Sequence, residues 1–162
     1  PPTAGGLSMV QQIAQVDSRY MIGGTNWVGL AVPLHCSALG KVLLAYGAAN
    51  MPAEPFEART ARTITTRAAL TTELAEVRRR GYAVTDEELE PGLVAVAAPV
   101  FADGAAAIAA ISVSAPAVRL SADVIPATAA ACISAADGLS AMLGGTRVPP
   151  PGFGRHDTST AA

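Results

Sequence analysis

Hydrophobic positions along this chain alternate with polar ones in some segments and recur at helical spacing in others, and the changes of period mark out its elements. Alternation over residues 10–16, carried by Val10 and Val16, predicts a strand, and residues 16–21 predict a turn feeding another. After the Gly23-Gly24 break, the short apolar segment 26–32 closes at Pro33. Leu39, Val42, Leu43 and Tyr46 then fall at i, i+3, i+4 and i+7, one face of a short helix. Ser37 is its N-cap and Gly47 its left-handed terminator. Residues 50–63, rich in proline, alanine and charge, read as an irregular connection. A second helix is expected over residues 66–80, with Leu70, Leu74 and Val77 buried and Gly81 as its stop.

Beyond Gly81 the period returns to that of strands. Tyr82-Ala83-Val84 reads as a strand and residues 85–90 as an acidic loop, which Pro91-Gly92 turns back. Two apolar runs, 93–101 and 106–114, flank Ala102-Asp103-Gly104-Ala105, a strong hairpin signal. The last helix spans residues 123–143, with Ile125, Cys132, Ile133, Ala136, Leu139 and Leu143 expected on its core face and Gly144-Gly145 ending it. From Arg147 onward no apolar period survives, so residues 1–145 are read as one domain and 146–162 as a flexible tail. Two strands, two helices, a strand, a hairpin and a helix fit an antiparallel sheet with helices packed on it, an α+β fold.

Composition narrows the function classes. With 162 residues and 51% apolar side chains, the chain supports one compact core. A formal charge of −2 and a pI near 5.6 supply no basic field for a phosphate backbone, so the chain alone is not expected to bind DNA. Arg78-Arg79-Arg80 does not change this, since cations in a last helical turn answer the helix dipole. Cys36 and Cys132 have neither metal-site spacing nor the pattern of a small disulfide scaffold, and a cytoplasmic setting is expected. No run approaches the roughly 20 apolar residues of a membrane span, so no membrane partner is expected.

Candidate chemistry is sparse. A nucleophile needs a base and an orienting group, and Cys36 beside His35 reads as a packing residue next to a structural hydrogen-bonder. Phosphate loops, dinucleotide glycine patterns, nucleophile elbows and metal constellations do not appear, so neither an enzyme nor a cofactor is expected. In Glu87-Glu88-Leu89-Glu90 most carboxylates should be solvated. Glu88 is the exception if it turns inward, where it would need a partner such as Lys41 or an arginine. The amides of Ala38 and Leu39, in the first turn after Ser37, are unpaired donors at the positive end of a helix dipole. They can hold an anion, or simply water or the Ser37 hydroxyl.

Three segments together resemble the IclR family of bacterial transcriptional regulators. The stretch 28–45 carries a glycine, the Pro33-Leu34-His35 step and the Ala38-Leu39-Gly40-Lys41 helix start. Residues 77–88, with Gly92 after them, carry an Arg80-Gly81-Tyr82 step and an acidic loop. Val96-Ala97-Ala98-Pro99-Val100-Phe101, followed by Ala109-Ala110-Ile111-Ser112-Val113-Ser114, resembles the family's hairpin with its Ser-x-Ser ending.

The resemblance implies a GAF-like antiparallel sheet flanked by helices, holding an effector at one side of the sheet. It implies homodimers or homotetramers, and DNA contact through an N-terminal winged helix-turn-helix that is absent here. The chain is therefore expected to be an N-terminally truncated effector-binding domain. It also implies that a small organic acid places its carboxylate on the amides of Ala38 and Leu39, with Ser112 and Ser114 nearby, two residues that strand alternation puts on one face. An acidic pocket residue of the family aligns with Thr85 and a frequent pocket cysteine with Ala95. Asp86 replaces the missing carboxylate if the loop shifts by one residue. These departures remove polar anchors and imply a bulkier or more apolar acid than a two- or three-carbon keto acid. The competing reading is an oligomerisation module with a collapsed pocket, since Ala95, Ala97, Ala98, Ala107, Ala109 and Ala110 suit tight packing as well as open space.

Overall fold

The computed structural model describes residues 9–17, 26 and 28–147. The chain is α+β. Strand β1 (Met9–Gln11) pairs antiparallel with β2 (Ala31–Pro33), Val10 opposite Val32. Helix α1 (Ala38–Ala45) and helix α2 (Arg67–Arg80) follow, then β3 (Ala83–Asp86), β4 (Leu93–Phe101), β5 (Ala107–Pro116) and helix α3 (Ile125–Met142). The last three strands form an antiparallel sheet in the order β3-β4-β5, separate from the β1-β2 pair.

Alternation along β4 divides the core. Ala95 and Ala97 face α1, in a cluster with Val42, Leu70, Leu74 and Val77, while Val94 and Val96 pack with Ala129 of α3, and Ala98 and Val100 with its Cys132 and Ala136. The sheet is thus covered by α1, with α2 packed beside α1, on one side and by α3 on the other, and its alanines leave little side-chain bulk between sheet and helices.

Local chemistry fixes where α1 begins. Ser37 Oγ accepts from the Gly40 amide at 3.1 Å and donates to the Pro33 carbonyl at 2.6 Å, tying the end of β2 to the first turn of α1. Gly40 lies so close to the Leu34 backbone that a Cβ there would come within 3.0 Å of three of its atoms. Helix α2 starts at the expected cap, Thr66, whose hydroxyl accepts from the Ala69 amide at 3.3 Å, and stops at Gly81, left-handed at φ 84°.

Several expectations are corrected. Helix α1 is not amphipathic: Ala38, Gly40, Lys41, Val42, Leu44 and Ala45 are buried, whereas Leu39, Leu43 and Tyr46 are half-buried, because sheet, α2 and the β1-β2 pair enclose it from several sides. Leu139 of α3 and Leu143, just past its end, face solvent, and Ser140 is buried instead, donating to the Ala136 carbonyl at 2.7 Å and accepting from the Phe101 amide at 2.9 Å. Residues 13 and 16 are exposed and outside any strand, and 18–21 lie outside the described residues. Residues 102–106 connect β4 to β5 after an irregularity at Val100/Phe101, so the Asp103-Gly104 hairpin is real but not a tight two-residue turn. Arg147, placed in the tail, is held by Asp137 at 2.9 Å and donates to the Gly81 carbonyl at 3.1 Å; residues 148–162 lie outside the described residues. Beyond answering the helix dipole, Arg78 reaches the Ala45 carbonyl at 3.1 Å, and Arg80 the Tyr82 carbonyl at 2.7 Å and Glu73 at 2.8 Å. Although α3 is long and apolar enough to cross a membrane, with mean hydropathy 1.2 over 18 residues, one of its faces packs on the sheet through Ala129, Cys132 and Ala136.

Candidate functional site

A cleft opens where the amino end of α1 meets the sheet. Ala38 and Leu39 form its helical side, and Thr85, Ala95, Ser112 and Ser114 line it from three adjacent strands. The register explains the gathering: Thr85 pairs with Ala95, Ala95 with Ser114, and Ala97 with Ser112, so all these side chains share the face turned towards α1. The space is about 410 Å³ including the solvent at its open side.

Six of the seven residues singled out from the sequence therefore line one cleft. Asp86 does not. It is the last residue of β3 rather than part of a loop, alternation turns it away from Thr85, and its carboxylate pairs on the surface with Arg62. A one-residue shift of the acidic loop is incompatible with Thr85 opposite Ala95 and Asp86 opposite Val94.

The donors in the cleft are largely unused. The amides of Ala38 and Leu39 have no backbone acceptor among the described residues, as expected for a first helical turn. Thr85, 3% exposed, lines the cleft, and its hydroxyl has no hydrogen-bond partner among those residues. Ser112 and Ser114 are likewise unpartnered. No charged side chain lines the space among the described residues; its walls are completed by Val32, Leu89 and Leu93, with Gln12 at the β1 side. Sequence reasoning missed these four. Leu89, the one apolar residue inside an acidic run, carried a signal; Gln12 and Val32 enter only through the pairing of β1 with β2.

Behind α1 lies the buried ion pair anticipated for Glu88. Lys41, 1% exposed, donates to Glu88 at 2.7 Å, to the Val84 carbonyl at 3.2 Å and to Glu73 at 3.4 Å. The second oxygen of Glu88 is buried without a partner, and burial pushes this carboxyl above the usual range against the pull of Lys41. Glu87 instead caps its own loop, accepting from the Gly92 amide at 2.6 Å.

The groups with nucleophilic or metal-binding potential are used structurally. His35 Nε2 lies 2.9 Å from the Glu57 carbonyl and its ring stacks on Phe56 at 5.2 Å. The adjoining Cys36 thiol is fully buried, and that burial raises its pKa to about 11, the opposite of an activated thiolate. Among the described residues no three His, Cys, Asp or Glu side chains converge as a metal site.

Residues 7–141 match the family described as bacterial transcriptional regulator IclR C-terminal. The chain is 35% identical over 137 residues to the HTH-type transcriptional regulator KdgR of Escherichia coli K12, covering 82% of this chain and 52% of that protein. In structure it resembles the C-terminal domain of E. coli KdgR, with a TM-score of 0.65 and 33% identity over 77% of this chain and 79% of that one. It also resembles IclR of Thermotoga maritima, with a TM-score of 0.74 and 26% identity over 84% of this chain and 60% of that one. The chain spans about half the length of the curated relatives it matches. It belongs to the IclR family of bacterial transcriptional regulators, as the family's C-terminal domain.

Proposed function

We propose that this domain is the cytoplasmic sensor of a regulator and that its cleft holds a small organic acid. The carboxylate sits on the Ala38 and Leu39 amides, and a second polar atom of the ligand meets Thr85, Ser112 or Ser114. The observation that carries this reading is the coincidence, in one open cleft, of two unpaired amides at a helix amino end and the unpartnered hydroxyl of a largely buried threonine. Val32, Leu89, Leu93 and Ala95 suit an acid with an apolar body. In the whole regulator, occupancy alters DNA binding by a part of the protein outside this chain. Copies assemble as dimers or tetramers, a reading supported by the uncovered apolar residues Ile108 and Val113 on β5.

A thermal-shift series of organic acids tests this, since a ligand at 100 times its Kd adds about 2.7 kcal/mol. Hydrogen bonds to a charged group are worth about 1.5 to 3 kcal/mol, so Ser112→Ala or Ser114→Ala should cost tenfold or more in affinity by calorimetry if that hydroxyl meets the carboxylate. An acid that binds both variants as well as the parent would show the serines to be structural.

A further inference from the structure

Lys41 is the only lysine in the sequence, among 11 basic side chains, and it is almost completely buried. Its three ammonium protons meet three acceptors from three parts of the fold: the Val84 carbonyl in β3, Glu88 in the loop after β3, and Glu73 in α2. A compact ammonium satisfies three acceptors in different directions, which the flat fork of an arginine does not. The placement matters because two of the ties, and Lys41 itself, abut walls of the cleft. Val84 precedes Thr85, Glu88 precedes Leu89, and Lys41 follows Leu39 by two residues on α1. Glu73 is itself held by Arg80 at 2.8 Å, so α2 is anchored at the same point.

An ion pair this deep is a poor source of stability. The desolvation of Lys41 and Glu88 offsets much of their attraction, and the buried second oxygen of Glu88 is unsatisfied. What the arrangement does provide is direction: it fixes the amino end of α1 against β3 and against the loop bearing Leu89. We propose that Lys41 is the positioning residue of the cleft, setting the Ala38 and Leu39 amides at a fixed distance from Thr85 and Leu89. This rests on the reading of the cleft as a carboxylate site, but the positioning itself does not need a ligand to be observed.

The test separates positioning from stability in the full chain. Replacing the pair by apolar residues, in the double variant K41M/E88L, removes the charges without stranding either one, so its melting temperature should stay close to the parent's. Amide exchange should nevertheless rise about tenfold at Glu87 and Leu93, whose amides close the loop on the Leu93 and Glu90 carbonyls, and stay unchanged at Ala97 in the sheet. 2-Hydroxy-4-methylpentanoate, a carboxylate with an apolar body, with its amide as the uncharged counterpart, should bind the double variant about tenfold more weakly than the parent. Loop exchange or affinity for this acid equal to the parent's would reduce Lys41 to a space-filling residue and overturn the proposal. If the acid binds neither protein, the carboxylate reading loses that support and loop exchange alone decides. Should the double variant not fold, Glu88→Leu removes the loop tie while Lys41 keeps Glu73 and the Val84 carbonyl, and unchanged loop exchange in it is equally fatal.

Discussion

Gly40 and Gly138 both sit inside helices, and the same substitution should have opposite effects at the two positions. Replacing a helical glycine by alanine gains about 1 kcal/mol from propensity alone. At Gly138 of α3, a Cβ would meet nothing within 4 Å, so that gain should be realised and the melting temperature should rise by about 2 to 4 °C. At Gly40 the new methyl would come within 3.0 Å of the Leu34 oxygen, Cα and carbonyl carbon. These are backbone atoms, in a segment held by Ser37 between β2 and α1, and cannot swing aside as a flexible side chain would. Overpacking of this kind costs about 1 to 3 kcal/mol, and the rigidity of the neighbours argues for the upper end. Net of the propensity gain, Gly40→Ala should lose about 2 kcal/mol, or about 4 to 8 °C of melting temperature in a chain of this size. The relief of the collision should also displace the amino end of α1, so any acid bound there should be held more weakly. Urea titration followed by circular dichroism measures both variants against the parent. If Gly40→Ala is as stable as the parent, or if the two variants move in the same direction, α1 does not rest on the Leu34 backbone as described.

Thr85→Val removes a hydroxyl that makes no hydrogen bond within the described protein, so stability should hold within about 1 kcal/mol while acid affinity falls; an unfolded variant would reveal a hidden structural bond. Cys36, its pKa raised to about 11 by burial, and the buried Cys132 should both resist a disulfide reagent at pH 8 in the native state and react as the chain unfolds in urea; rapid native labelling would contradict the packing. Glu88 has a carboxyl raised by burial, so the folded chain keeps a proton there that the unfolded chain has already released. Its contribution to stability is present at and below the ordinary carboxylate range and is lost as pH rises through the raised value. Melting curves of the parent and Glu88→Gln should therefore show the parent losing relative stability from pH 4.5 upward, and a difference independent of pH would refute the assignment.

How far each element was legible depended on contrast. Helix α2 has a threonine cap, a polar outer face, three buried apolar residues and a glycine stop, so local signals and tertiary burial agree and its boundaries follow from the sequence to within a residue. Strand β4 coincides with its apolar run because it is buried on both faces and bounded by Gly92 and the 102–106 connection. Helix α1 shows the opposite: its cap was legible, but its buried face was not, since a helix enclosed on most sides has no polar side to contrast with. In α3 alanines occupy so many positions that periodicity hardly distinguishes faces, and Ser140 is buried because it can satisfy itself on Ala136 and Phe101.

The cleft divides along the same line. Period-two alternation was enough to put Ser112 and Ser114 together, but only the pairing register decides that they stand opposite Ala97 and Ala95, with Thr85 one strand further across. The parity of that register also excludes Asp86. A side chain one residue along a strand belongs to the other face, so no adjustment smaller than a slip of the whole strand brings its carboxylate to the cleft, and such a slip would expose Ala83 and bury Asp86 without a partner. The surface pair with Arg62 is thus the reverse side of the geometry that leaves Thr85 buried and unpaired. A cleft with no carboxylate facing the α1 amides does not repel an anion there, whereas an aspartate at position 85 would demand a ligand able to donate to it. Thr85 both donates and accepts, so position 85 should tolerate acids that lack a donor beside the carboxylate.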